Sequence, residues 1–281
     1  MRIVLALIVL ACLGSACAGC GPAGGPRSVV AAFYPLAYAA EQVGGPAFDV
    51  RNLTPPGAEP HDVELTPRSV AEIQRAGVVL YLSHGFQPAV ADAVAHADGK
   101  RVDVLAGLDL KAKAGRTDPH VWLDPVLYAR IVRRVGRALD RPSAAAALAR
   151  RVSNLAREYR RGLAHCARRD FVTSHAAFGY LAARYGLRQI AITGIDPESE
   201  PAPRKLASLV RLVRREHVGT VFFERLASPR LAQTIAREAG ARTAVLDPIE
   251  GLTPNEVRSG ATYFSLMRHN LHELRDELGC R

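Results

Sequence analysis

Short β-branched runs alternate with longer helical stretches along most of this chain, and the alternation stops once, in the middle. Ahead of the break, "SVVAAFY", "FDVRNL", "GVVLYL" and "RVDVL" read as strands, with "PLAYAAEQVG" and "TPRSVAEIQRA" as helices between them. Thr66 is expected as an N-cap with Pro67 at the first helical position. Between Val126 and Arg169 no strand pattern occurs. "VLYARIVRRVGRALDR" reads as helix, Pro142 interrupts it, and Ser143 is placed as the cap of a second stretch running about seven turns at 3.6 residues each. Strands resume with "DFVTS", "RQIAIT", "TVFFE" and "ARTAVL", and a last helix is expected from Thr253-Pro254 to about Leu278. Strand–helix alternation calls for parallel sheets covered by helices on both faces. The expected fold class is therefore α/β: two (βα) lobes with mainly parallel sheets, joined by one long helix. The divisions are 1–26 as leader and tether, 27–125 as the first lobe, 126–168 as a helical linker and 169–281 as the second lobe.

With 281 residues and 48% hydrophobic content, the chain is long enough to bury two modest cores. Its formal charge of +10 comes from arginines scattered over helical segments. No basic run interleaved with aromatics accompanies that charge, which argues against a nucleic-acid partner. Arg2 is followed by "IVLALIVLACLG", an apolar run too short to span a bilayer and ending in small residues, as a secretory signal does. "LGSAC" then resembles a bacterial lipobox, which makes Cys17 the expected lipidated residue, with Cys20 as the alternative. "AGCGPAGGPRS" reads as a flexible tether. Beyond it only Cys166 and Cys280 remain, and in an exported protein an even remainder suggests one disulfide, the alternative being two unpaired thiols.

Ligands in open α/β sheets bind beyond the carboxyl ends of strands. Four polar residues are placed there: His61 in "TPPGAEPHDVEL", His120 in "TDPHVWLDP", His175 in "SHAAFGYLAARYG" and Asp247 in "DPIEGL". Prolines beside His61, His120 and Asp247 stiffen the loops that aim them. Three imidazoles and one carboxylate form a coherent ligand set for Zn²⁺. One carboxylate leaves the site near +1, which Glu59, Asp62, Asp118 or Glu224 could offset or stabilise by hydrogen bonds. His84 also follows a strand, His96, His165 and His217 lie on helical patterns among charged neighbours and are read as solvated, and His269 and His272, spaced i,i+3 on the last helix, could form a surface site.

At these residues the sequence resembles the metal-receptor lipoproteins of bacterial zinc and manganese ABC importers. "PPGAEPHDVELTPRSVAEIQRAGVVLYL" is similar to the family's first ligand loop and following helix, and "DPHVWLDP" to its second ligand motif. "TSHAAFGYLAARYGL" with "SEPAPRKL" resembles the third, and "VFFERLASPRLAQTIAREAG" with "AVLDPIEGL" the last segment. The resemblance implies lobes bridged by one rigid helix, metal in the cleft, and ligands at His61, His120, His175 and Asp247. Manganese-type relatives tend to carry Glu at the third position; His175, a softer donor, favours zinc. Many zinc-type relatives carry a His-rich loop before the second motif, and "AGLDLKAKAGRTDPH" has no histidine before His120.

The resemblance and the residues together imply a function without catalysis: an exported or periplasmic, lipid-anchored monomer on the outer face of the cell membrane. It would capture Zn²⁺ and deliver it to the permease of an ABC-type importer. The alternatives are a manganese or iron receptor on the same scaffold, an adhesin-like surface protein in which the metal is structural, and a lipid-anchored zinc hydrolase. In the latter, water would replace Asp247, and Glu224 or Glu250 would act as base. No HExxH helix or nucleophile elbow supports the hydrolase.

Overall fold

The computed structural model describes residues 27–113, 115–199 and 201–281; Cys17, Cys20 and the leader lie outside them. In the first half, β1 (Arg27–Ala31), α1 (Tyr34–Gly44), β2 (Phe48–Asn52), α2 (Pro67–Arg75), β3 (Val78–Tyr81), α3 (Pro88–Val94) and β4 (Lys100–Asp103) alternate as expected. Two-residue strands β5 (Ala112–Lys113) and β6 (Arg116–Thr117) then pair antiparallel. Two helices follow, α4 (Pro125–Ala138) and α5 (Pro142–Gly162). The second half comprises β7 (Asp170–Thr173), α6 (Gly179–Tyr185), β8 (Arg188–Ala191), α7 (Pro203–Arg215), β9 (Thr220–Phe223), α8 (Arg230–Ala239), β10 (Arg242–Val245), α9 (Pro254–Arg258) and α10 (Tyr263–Leu278).

Both four-stranded sheets are wholly parallel and have the same strand order, β2-β1-β3-β4 and β8-β7-β9-β10. Each therefore reverses its winding direction beside its first strand, and such switch points leave a crevice at the strands' carboxyl ends. The two sheets are thus topological copies, a relation the sequence suggested only through similar strand counts.

Helix boundaries follow local chemistry. The Thr66 hydroxyl accepts from the Ser69 amide and Pro67 opens α2, as expected. At α5 the expectation fails: Pro142 is the first helical residue, Ser143 is already inside, and Arg141 occupies the cap without a side-chain bond. Proline at N1 needs no acceptor from a cap, because it has no N–H to pair there. The helix spans 21 residues, about 31 Å, and ends at Gly162 rather than continuing through "LAHCARR". The single C-terminal helix is instead two, broken where Gly260 takes φ +69° and Thr262 caps α10 through the Ser265 amide.

One apolar cluster runs from the first sheet through α4 and α5 to α10 and the inner face of the second sheet; a smaller one lies under α7 and α8. Helices α4 and α5 approach so closely that a Cβ on Gly136 would lie 2.2 Å from that of Ala145. Buried hydroxyls tie the halves together: Tyr159 donates to the Met267 carbonyl at 2.6 Å and Tyr263 to that of Trp122 at 2.7 Å. Cys166 and Cys280 are disulfide-bonded, joining the end of the linker to the C-terminus. Among the described residues no helix is long and apolar enough to cross a membrane.

Candidate metal centre

The loops after β2, β6, β7 and β10 converge, and His61, His120, His175 and Glu250 bring one donor atom each within 4.8 Å of one another. Asp247, expected as the fourth donor, is not in this group; Glu250, three residues on, is. The Asp247 carboxylate is turned elsewhere: Oδ1 accepts from the Ile249 amide at 2.7 Å and Oδ2 lies 3.6 Å from Arg225 Nε. Ile249 is fully buried with φ +57°, a left-handed conformation rare for a β-branched residue, and costing about 1–3 kcal/mol. That turn carries the chain past Asp247 and delivers Glu250 to the histidines.

The spacing of the donors suits a tetrahedral ion. Glu250 Oε1 lies 3.0 Å from His120 Nε2 and 3.6 Å from both His61 Nε2 and His175 Nε2. His120 Nε2 and His175 Nε2 are 3.2 Å apart. Donors about 2.0–2.1 Å from a central Zn²⁺ stand about 3.3–3.4 Å from one another in a tetrahedron. Buried carboxylate oxygens of Glu250 and Nε2 of His61 have no hydrogen-bond partner of good geometry, which a metal would supply.

Two imidazoles are oriented from behind. Asp118 Oδ1 lies 2.8 Å from His120 Nδ1 and accepts the His120 amide at 3.0 Å. Glu224 Oε1 lies 2.6 Å from His175 Nδ1 and accepts from the Ser174 hydroxyl. With Nδ1 donating to a carboxylate, Nε2 is the free lone pair and faces the centre. Gly179 permits this packing, since a Cβ there would lie 2.9 Å from Asp118 Oδ2. His61 has no such carboxylate on its ring among the described residues; it stands edge-on to Phe86 with centroids 4.7 Å apart. Glu59 accepts from the His61 amide at 3.3 Å, while Asp62 is exposed on the same turn.

The charges are strongly coupled. Burial alone would depress His120, but its bonds to Asp118 and Glu250 outweigh that and hold it above the ordinary histidine value. Burial likewise opposes protonation of His175, yet Glu224 and then Glu250 hold it well above that value. Glu250, which burial would raise, is held well below the usual carboxylate range by His61 and by the close imidazoles of His120 and His175. Burial, then the Glu250 charge, pushes Glu59 up to about 9. Burial pushes Asp247 up to about 7.

From "DPIEGL" Glu250 was named only as a possible base in the hydrolase alternative, not as a donor to the metal. Glycine or asparagine at position 249 would have signalled the left-handed turn; isoleucine gave no such sign.

Two parallel α/β lobes that close three imidazoles and a carboxylate between their strand ends define a two-lobed solute-binding protein with a metal-type donor set. Residues 29–277 match the family described as ZnuA, zinc-uptake complex component A, periplasmic, and the chain belongs to that family. It is 34% identical to the zinc-binding lipoprotein AdcA of Streptococcus pneumoniae over 92% of this chain and 57% of AdcA. It therefore spans little more than half of that relative. It is 32% identical to the high-affinity zinc uptake system protein ZnuA of Bacillus subtilis over 97% of this chain and 94% of that one. Among solved structures, the Zn(II)-bound ZnuA-like domain of S. pneumoniae AdcA superposes with TM-score 0.79 at 34% identity, covering 90% of this chain and 99% of the domain. The laminin-binding protein Lmb of Streptococcus agalactiae, described as an adhesin with metal-transporting activity, gives 0.83 at 32% identity, over 90% and 99%.

Proposed function

We propose that this chain is an extracytoplasmic Zn²⁺ receptor that captures the ion through His61, His120, His175 and Glu250 and passes it to the permease of an ABC-type importer. The carrying observation is the donor set: three nitrogens and one oxygen within 4.8 Å of one another, four of the six pairs at 3.0–3.6 Å, two donors from each lobe. Nitrogen-rich tetrahedral sites suit zinc, whereas manganese prefers more oxygen donors. Four protein donors fill a tetrahedron and leave no open position for activated water, so the set suits carriage and not hydrolysis. The AdcA domain and the B. subtilis protein, named for zinc binding and zinc uptake, support this reading. The chain acts as a monomer, held at the outer face of the cell membrane through a lipidated Cys17 or Cys20. It falls into a first lobe, 27–125, a linker, 126–168, and a second lobe, 169–281.

The test is titration of metal-free protein with Zn²⁺ against a chelator of known affinity, with Mn²⁺ in parallel. One Zn²⁺ per chain is expected, bound more tightly than Mn²⁺, and binding should collapse in His120→Ala and His175→Ala. Wild-type zinc affinity in both variants would place the metal elsewhere.

A further inference from the structure

We infer that Asp247, which offers nothing to the metal itself, is the residue that positions Glu250; this rests on the four-donor site proposed above. His120 and His175 are each oriented by a carboxylate on Nδ1, whereas the buried Glu250 carboxylate has only the imidazoles within ion-pair distance among the described residues. Its aim must come from its backbone. That backbone follows Ile249 in the left-handed region, a state an isoleucine does not choose for itself. Asp247 Oδ1 closes the turn by accepting the Ile249 amide at 2.7 Å. The short loop formed in this way is an Asx turn, in which the side chain replaces a backbone acceptor.

The aspartate is itself clamped. Asn270, fully buried on α10, accepts the Asp247 amide at 2.9 Å and donates to its carbonyl at 2.6 Å. Trp122, two residues after His120, donates from Nε1 to the Pro248 carbonyl at 2.7 Å. Arg225 Nε sits 3.6 Å from Asp247 Oδ2 and 3.0 Å from Glu256 Oε1, so Oδ1 is left free for Ile249. Arg225 adjoins Glu224, the residue behind His175. The end of β9 therefore steadies both donors of the second lobe, one directly and one through Asp247.

The experiment uses the full chain with Asp247→Ala, Asp247→Asn and Glu250→Gln, read by zinc competition and by the visible bands of bound Co²⁺, whose energy and intensity report coordination geometry. Asp247→Ala removes the acceptor and should weaken zinc about 10–100-fold, as loss of a ligand's supporting partner does, and shift the Co²⁺ bands toward those of Glu250→Gln. Asp247→Asn keeps an Oδ1 acceptor and should stay within about threefold of wild type with an unshifted Co²⁺ spectrum. If Asp247→Ala does not fold, Asp247→Ala/Ile249→Gly is compared with Ile249→Gly alone, and should bind at least tenfold more weakly. Unchanged affinity and spectrum in Asp247→Ala, equal affinities in that pair, or an Asn variant as weak as the Ala variant would overturn the inference. Retention of zinc by His120→Ala would instead remove the site on which it rests.

Discussion

Glu224 is the group whose removal should separate the orienting of a ligand from its protonation. Its Oε1 holds His175 Nδ1 at 2.6 Å and also accepts the His175 amide at 3.3 Å, in a site where neither side chain is more than 3% exposed. Glu224→Ala leaves the ring free to turn and Nδ1 without a buried partner. Outer partners of this kind are worth about 10–100-fold in metal affinity, which is about 1.4–2.8 kcal/mol. The same carboxylate, however, is the main reason His175 holds a proton well above the ordinary histidine range. In the wild type that proton must leave before zinc binds, and the cost grows as pH falls. Without Glu224 the ring gives up its proton more readily. The wild-type advantage should therefore be largest near pH 8 and shrink toward pH 6. The assay is chelator competition at several pH values, with circular dichroism to confirm folding. A folded Glu224→Ala protein binding zinc as tightly as wild type at pH 8, or a penalty that grows on acidification, would refute the reasoning.

Metal-free protein should be most stable in mild acid. His120 and His175 contribute fully below the unfolded histidine value near 6.5 and lose that contribution as pH rises through their raised values; Glu250 contributes above about 4.3 and loses it as pH falls through its lowered one. The metal-free melting temperature should therefore fall between pH 6 and 8 while the increment added by zinc grows, and a metal-free melting temperature that climbs steadily to pH 8 would contradict this. Reducing Cys166–Cys280, which closes a separation of 114 residues, should cost about 4–5 kcal/mol by the chain-entropy account. Denaturant midpoints with and without reductant test it, and coincident curves would mean the native disulfide adds nothing.

The sequence carried the architecture because parallel (βα) units write themselves as alternation, and because the loops that carry the histidines follow strands. It also singled out His61, His120 and His175, which stand out among apolar and proline neighbours and which the structure brings together. What it did not carry depended on backbone rotation or long-range contact. Choosing between Asp247 and Glu250 required knowing that Ile249 turns left-handed, and that is enforced by Asp247, Asn270 and Trp122 from three places in the chain. The split of the last helix was readable in principle, from Gly260 followed by the capping Thr262. The β5–β6 hairpin, two residues a side, is too short to leave a periodic signal.

Charge accounts for why so many carboxylates surround one ion. In the metal-free site His120 and His175 keep protons to higher pH than ordinary histidines, because Asp118, Glu224 and Glu250 face them. Zn²⁺ binds the same nitrogens that those protons occupy, so capture exchanges positive charge for positive charge beside three carboxylates that already favour it. Four of the six donor pairs already stand 3.0–3.6 Å apart, so the site needs little rearrangement to receive the ion. A neutral amide at Glu224 or Asp118 would remove one negative charge from behind the bound metal and leave it less well compensated. On this view the two carboxylates behind the histidines favour the exchange of protons for zinc, in addition to aiming the rings.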